Sequence, residues 1–358
     1  MKLNKIKISN YRCFKEMIIE FDKYITLIVG EKGSGKTAAL DAIAVSVSTF
    51  LLKIDGAVSK SITKDDVRSE PVEQENIHTS QFYFPVSIDT IGNCFDKQNI
   101  EWVRSLNSEH NKTTVKEAAE LTDIAKEVQN RIMTGDRSLV LPLIAYYRNQ
   151  YISDHKRKDR IQSINVFNRQ TGYADCMAAE SSEKLMLNWF QMQTLKGLQE
   201  QQRTGVLKQP ILLKTVTEAI CKCFERISGS KNTRVFFDLD AYKLVLEFEN
   251  EDGNAQKFAM DEMSDGYKNT LSMIGNIAYR MAVLNPVLGD MVLEKTPGVI
   301  LIDEIDLHLY PQWQQTILSD LNALFPNIQF IVSSNAPAVI NSVLREQIRI
   351  LNNKDTVS

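Results

Sequence analysis

The chain has 358 residues, 43% hydrophobic and 24% charged, a balance that excludes a disordered chain. No apolar run reaches the ~18 residues a membrane-spanning helix needs. At roughly 150 residues per domain, the length allows two or three domains or one large elaborated one. Forty-two basic against 45 acidic residues give a net charge of −3, which excludes a generally basic nucleic-acid coat and leaves room for a local basic surface.

In chain order, LNKIKISN, MIIEFD and YITLIVG predict three strands within residues 1–30. The alternating N-terminus has no continuous apolar core, so it reads as a strand and not a signal peptide, and the protein is expected in the cytosol. Cys13, Cys94, Cys176, Cys221 and Cys223 are then expected to be reduced and structural. A helix is predicted over 36–52 and a polar surface loop carrying Pro71 over 58–78. A strand over 82–91, an amphipathic helix over 115–133 and a buried strand over 138–147 follow.

Residues 148–231 are polar, glutamine-rich and helical, broken at Gly205 and Pro210. They predict a helical insertion with no sustained heptad. A hairpin turning at Asp252 and Gly253 is expected within 234–260. The last third alternates helix (267–284), strand (299–302), helix (312–324), strand (329–333) and helix (337–344), a parallel α/β layout. The expected division is an N-terminal lobe (1–147), the insertion (148–231) and a C-terminal lobe (232–358).

Gly30-Glu31-Lys32-Gly33-Ser34-Gly35-Lys36-Thr37 satisfies GxxxxGK[ST]. It follows an apolar strand and precedes a helix, the context its chemistry requires. Glycines let successive N–H groups aim at phosphate oxygens, and the helix N-terminus adds partial positive charge. Lys36 is expected on the β and γ phosphates of ATP and the Thr37 hydroxyl on Mg²⁺, with Gly30, Lys32, Gly33, Ser34, Gly35 and Ala38 completing the nucleotide cradle.

Val299-Ile300-Leu301-Ile302-Asp303-Glu304 is an apolar strand ending in two acids. In an open parallel sheet that places carboxylates beside the phosphates. Asp303 is expected to hold Mg²⁺ through water, and Glu304 to orient and deprotonate the attacking water. Asp306 and His308 follow closely, His308 being either a site residue or an ordinary surface histidine. The four histidines are scattered and form no metal-ligand motif.

Met263-Ser264-Asp265-Gly266 opens a helix about 40 residues before the acid pair. With the phosphate loop and the opening IKISNYRCFKEMIIEFDKYITLIVGEKGSGKT, the chain resembles P-loop ABC-type ATPase heads of the RecF and SMC kind. The resemblance implies a mixed, largely parallel sheet with flanking helices. It implies that Ser264, Asp265 and Gly266 meet the γ phosphate of a neighbouring copy in an ATP-sandwich dimer, and that Arg12 lies close to nucleotide. Arg12 also reads as a cap on an edge strand.

LPLIAYYRNQ, MSDGYKNTLSMIGNIAYRMAVLNP and GVILIDEIDLHLYPQWQQTILSDLNALFPNIQFIVSSNAPAVI look like the ATPase subunit of Septu anti-phage systems and its retron-associated relatives. That likeness implies an HNH-type nuclease partner and a role in defence.

Where such heads place a histidine after the final core strand, this chain has Asn335, which cannot become cationic. Slow hydrolysis is expected, with ATP acting more as clamp or sensor than as fuel. Lys32 replaces the usual asparagine of the loop. Gln150 is the candidate for the glutamine that bridges Mg²⁺ and the attacking water, and reads equally as a surface residue. Between Arg148 and Arg160, five basic residues face two acids, a candidate contact for DNA or RNA phosphates that would not read bases. An ATP-sensing scaffold with little hydrolysis and a DNA repair ATPase are the alternative functions.

Overall fold

The computed structural model describes residues 1–74, 77–148, 168–178, 183–206, 208–250, 252–307, 309–352 and 356–357. In β1 (Lys2–Tyr11) Leu3, Ile6, Ile8 and Tyr11 are buried; alternation joins Ile6 and Ile8, and a register shift between Leu3 and Lys5 accounts for the uneven first step. β2 (Phe14–Glu20) returns antiparallel, then β3 (Ile25–Val29) runs fully buried into α1 (Lys36–Val47). A short 3-10 turn continues α1 over Ser48–Lys53.

The segment over 58–78, expected as a loop, instead reaches into a hairpin of β4 (Ser69–Gln74) and β5 (Ile77–Phe82). Pro71 is accommodated because both strands of a two-stranded ladder are edges. β6 (Val86–Cys94), β7 (Lys97–Leu106), α2 (Ala119–Met133) and β8 (Leu143–Tyr147) follow. β7 had no counterpart in the sequence reading, and β8 is shorter than the predicted strand.

The described part of the insertion holds α3 (Glu183–Thr204) and α4 (Ile211–Ser228). β9 (Lys231–Asp238), β10 (Lys243–Glu249) and β11 (Ala255–Ala259) form a three-stranded meander rather than a single hairpin. α5 (Asp265–Leu284) and the one-turn α6 (Val292–Lys295) lead to β12 (Gly298–Ile302). The helix predicted over 312–324 breaks into α7 (Pro311–Gln314) and α8 (Ile317–Leu324). β13 (Ile328–Ser334) precedes α9 (Pro337–Ile340), which is shorter than predicted, and β14 (Ile348–Asn352) and β15 (Thr356–Val357) end the described chain.

The central sheet has the order β15-β14-β3-β13-β12-β8, parallel throughout except for β15. Its inner strands β3, β13 and β12 are buried along their whole length and mostly apolar, as a sheet covered on both faces requires. A separate antiparallel sheet, β2-β1-β6-β7, lies beside it. One buried side chain ties the two: Gln329 of β13 accepts from Leu3 N at 2.7 Å and donates to the carbonyls of Leu3 and Asp22 at 2.9 and 2.8 Å. Gln329 thereby satisfies backbone groups that burial would otherwise leave unpaired.

Aromatic packing joins the later elements. Phe224 of α4 lies 4.7 Å from Phe248 of β10 and 5.5 Å from Tyr267 of α5, measured between ring centroids. Trp189 of α3 meets Tyr279 of α5 edge-on at 5.7 Å. Both α3 and α4 therefore pack on α5, whose N-cap residue is Ser264.

Candidate functional site

β3 delivers the glycine-rich turn to the N-terminus of α1. Gly33 and Gly35 have φ of +85° and +99°, a left-handed backbone that favours glycine. A Cβ at Gly35 would stand 2.6 Å from both Cys13 Sγ and Phe14 Cζ, so the turn of β1 into β2 presses directly on the loop. The N-cap residue of α1, Gly35, has no side chain to cap it, and among the described residues the first N–H groups of the helix are available to an anion.

Lys36 folds back across the loop, donating to the carbonyls of Gly30 and Glu31 at 2.9 and 3.0 Å. Burial lowers its pKa, and the nearby Glu304, Asp303 and Asp306 carboxylates pull the other way. The Ser34 hydroxyl oxygen is buried with no hydrogen-bond partner among the described residues. A buried polar atom left without a partner in the glycine-rich loop fits a phosphate oxygen.

The acid pair ends β12, as predicted. Asp303 accepts from the Thr37 hydroxyl at 2.7 Å through Oδ2 and from the Ser333 hydroxyl at 2.6 Å through Oδ1. Its own N–H donates to Tyr147 O at 2.9 Å. Ser333 also accepts from Glu304 N at 2.8 Å, so one hydroxyl holds the Asp303 carboxylate and the Glu304 backbone. The oxygen donors of Thr37 and Asp303, set beside a phosphate cradle, suit Mg²⁺, which uses one or two protein oxygens together with substrate phosphates and water.

Glu304 is exposed and has φ of +51°. That conformation costs a non-glycine residue about 1–2 kcal/mol, and strain of this kind collects at functional sites. The turn swings the Glu304 side chain out of the sheet while Asp303 stays buried. Between β8, β12, α3 and α5 lies a cavity of about 220 Å³ whose walls include Arg148, Glu183, Lys268, Asn276 and Glu304.

The remaining predicted residues divide. Ser264 is the N-cap residue of α5, and both it and Asp265 are exposed while Gly266 is buried. Tyr310, seven residues beyond Asp303, brings its hydroxyl to 3.5 Å from Ser264 Oγ and packs on Trp313, which in turn lies 4.4 Å from Tyr267. Asn335 is exposed just beyond β13. Lys32 is exposed at the tip of the loop, and Ala38 is buried in the first turn of α1. Gln150, His308 and the basic residues from Lys156 to Arg160 lie outside the described residues.

Arg12 has φ of +47° and is held by two carboxylates. Its Nη1 lies 2.8 Å from Asp41 and its Nη2 2.7 Å from Asp66. Asp41, Asp66, Ser333 and Tyr310 were missed as site residues. Asp41 and Ser333 carry one readable signal, a polar residue inside the apolar runs KTAALDAIAV and IQFIVSS.

A family model described as "AAA domain" matches residues 5–228, and another, "AAA domain, putative AbiEii toxin, Type IV TA system", matches 217–341. The chain belongs to the AAA-domain family and is an ATPase. It is 26% identical to the Retron Vc95 probable ATPase of Vibrio cholerae serotype O1 biovar El Tor, over 99% of this chain and 74% of that protein. It is 22% identical to the Septu protein PtuA of Bacillus thuringiensis, over 95% and 73%. Among solved structures, the Smc head domain from Pyrococcus furiosus, with an extended coiled coil and bound to the C-terminal domain of ScpA, aligns with a TM-score of 0.52. That alignment has 15% identity and covers 99% of this chain and 94% of that one. The SMC-head fold expected from the sequence is thus borne out.

In this AAA-domain ATPase none of the five cysteines is in a disulfide. Burial pushes the Cys94 and Cys221 thiols up to about 11 and the Cys176 and Cys223 thiols up to about 12, which keeps them protonated and inert at neutral pH. Among the described residues no helix is long and apolar enough to cross a membrane.

Proposed function

We propose that this ATPase closes as a pair of chains around two ATP molecules and, in that state, controls a nuclease subunit of HNH type in defence against phage. The observation that carries the reading is the division of the site. Lys36, Thr37, Asp303 and Glu304 converge on one loop, while Ser264 and Asp265 sit exposed at an uncapped helix N-terminus, presented to a neighbour. The named relatives in retron and Septu systems support the defence setting.

In this scheme the loop N–H groups and Lys36 bind the β and γ phosphates, and Thr37 and Asp303 hold Mg²⁺. The bound metal ion supplies charge neutralisation at the phosphates. Ser333 fixes the Asp303 carboxylate toward Thr37. Glu304, freed from the sheet by its left-handed turn, orients a water and takes its proton. Arg12 would reach the nucleotide by exchanging one of its carboxylate partners, and Gln150, outside the described residues, would serve as the glutamine of the metal site. The chain divides functionally into the two lobes, 1–147 and 232–358, and the insertion 148–231. The basic residues of 148–160 contact nucleic-acid backbone, a role that charge reversal at Lys156, Arg157 and Lys158 tests: salt-dependent DNA binding left unchanged removes it.

Sizing the purified chain with and without ATP and Mg²⁺ tests the main reading, with Glu304→Gln used to preserve the bound state. ATP-dependent doubling of mass, abolished by Ser264→Arg, is expected. A mass that ignores ATP in both proteins refutes the sandwich. Phosphate release from wild type should exceed that from Glu304→Gln by about 10²–10⁴-fold. A second reading, an ATP-sensing scaffold with little hydrolysis, is favoured by Asn335 in place of an ionisable histidine. It takes over if wild type and Glu304→Gln release phosphate equally slowly.

A further inference from the structure

Four residues beyond Thr37, on the same side of α1 and one turn further along, Asp41 is surrounded by three cations. Its Oδ2 accepts from Arg12 Nη1 at 2.8 Å and from Arg148 Nη2 at 2.6 Å, and its Oδ1 from Lys60 Nζ at 3.0 Å. The Asp41 side chain is only 4% exposed. Lys60 is itself backed by the Tyr146 ring, 4.6 Å from the centroid.

These contacts close a circuit. Arg148 directly follows β8, whose last residue, Tyr147, accepts the Asp303 N–H at 2.9 Å. Asp303 accepts from Thr37 at 2.7 Å, and one helical turn returns the path to Asp41. The circuit therefore joins α1, β12 and β8 at the place where Thr37 and Asp303 face each other. Arg12, which shares the same Asp41 oxygen, adds an arm from the antiparallel sheet.

We propose that Asp41 is a positioning residue for the metal site: by holding Arg148 at the end of β8, it fixes the separation between Thr37 on α1 and Asp303 on β12. The proposal rests on the reading that these two residues hold Mg²⁺. A buried ion pair often adds little net stability over an apolar replacement, and one of its uses is to fix geometry. Mg²⁺ tolerates little departure from octahedral coordination, whereas loop N–H groups and Lys36 can follow a phosphate through small shifts. Loosening Asp41 should therefore weaken the contribution of the metal far more than the grip on the phosphates.

The test measures equilibrium binding of a fluorescent ATP analogue with and without Mg²⁺, and needs no turnover. In Asp41→Asn, the Mg²⁺ concentration giving half of the metal-dependent binding should rise about 10–100-fold, the range typical of lost outer-shell support. Metal-free binding should change less than about threefold by the same reasoning. Arg148→Gln, which leaves Asp41 paired with Arg12 and Lys60, should shift Mg²⁺ dependence in the same direction without threatening the fold. The double variant should be no worse than Asp41→Asn alone, because the two residues act as one unit.

Unchanged Mg²⁺ dependence in both single variants, or additive losses in the double, overturns the role. So does an equal loss of metal-free and metal-dependent binding. A wild-type chain that binds the analogue without regard to Mg²⁺ removes the metal-site reading, and the role of Asp41 with it. A Mg²⁺-dependent wild type with unaltered variants removes only the latter.

Discussion

Ser333 donates to Asp303 at 2.6 Å from the neighbouring strand, 30 residues further along the chain. The parallel register that pairs Ile302 with Val332 puts its hydroxyl beside the Asp303 carboxylate, and the N–H of Glu304 is its second partner. The group expected to receive Mg²⁺ is therefore oriented by a hydroxyl on the neighbouring strand.

Ser333→Ala should leave ATP binding without metal intact and raise the Mg²⁺ requirement about 10–100-fold, as loss of an outer partner of a metal ligand typically does. Titrating Mg²⁺ against nucleotide binding and against phosphate release reads both effects. Ser333→Thr keeps the hydroxyl and should restore most of the loss. An alanine variant with an unchanged Mg²⁺ midpoint would show that Asp303 needs no such support.

Much of this site was legible in the sequence because its chemistry is local. The phosphate loop, the helix after it and the acids ending a buried strand are each written within a few consecutive residues. Ser333, Asp41 and Tyr310 act through partners far away in sequence, so their roles depend on strand register and helix face, which no local pattern states. Among the elements, β7 reads KQNIEWVRSL, where charged and amide residues interrupt the apolar alternation. Its buried Ile100 and Trp102 become recognisable only once β6 lies beside them. The hairpin β4–β5 escaped for a related reason: Pro71 and a polar composition suggest a loop until a two-stranded ladder with free edges is allowed.

Gly35→Ala and Gly33→Ala separate backbone strain from crowding. Both glycines have positive φ, so either substitution costs about 1–2 kcal/mol of conformational strain. Only at Gly35 does the new methyl also meet Cys13 and Phe14, at 2.6 Å, while at Gly33 nothing lies within 4 Å. Gly35→Ala should lose nucleotide binding and lower the thermal midpoint more than Gly33→Ala does. Removing the ring with Phe14→Ala should recover only part of the loss, since the strained φ remains. Equal midpoints for the two glycine variants would mean that the contact with the β1–β2 turn carries no weight.

The Asp66 carboxyl gives the fold an acid-side dependence. Burial would raise its pKa, but hydrogen bonds from the backbone and hydroxyl of Thr63 and the guanidinium of Arg12 outweigh it and hold it below the ordinary value. The unfolded chain then binds this proton more readily than the folded one, so stability rises with pH through this range. The stabilisation is fully present above about pH 4, the unfolded carboxylate value, and is lost as pH falls through the lower folded value. Thermal midpoints between pH 6 and pH 3 should decline less steeply in Asp66→Asn than in wild type, from a lower starting point at pH 6. Parallel curves would exclude Asp66 as a source of the acid sensitivity.

Asn335 stands exposed just past β13, two residues after Ser333. An amide there can donate a hydrogen bond to a phosphate oxygen but cannot carry charge to it. Asn335→His should raise turnover at saturating ATP, because an imidazolium strengthens the interaction as charge develops on the transferred phosphoryl group. The sign of its pH dependence follows from the ordinary imidazole pKa of about 6.5. If the cationic form is what helps, the gain over wild type is largest below that pH and shrinks as pH rises through it. Steady-state phosphate release from both proteins between pH 5.5 and 8.5 measures the ratio directly. A ratio above one that stays flat across this range assigns the gain to hydrogen bonding by the neutral ring, and a ratio of one or less removes position 335 as a limit on turnover.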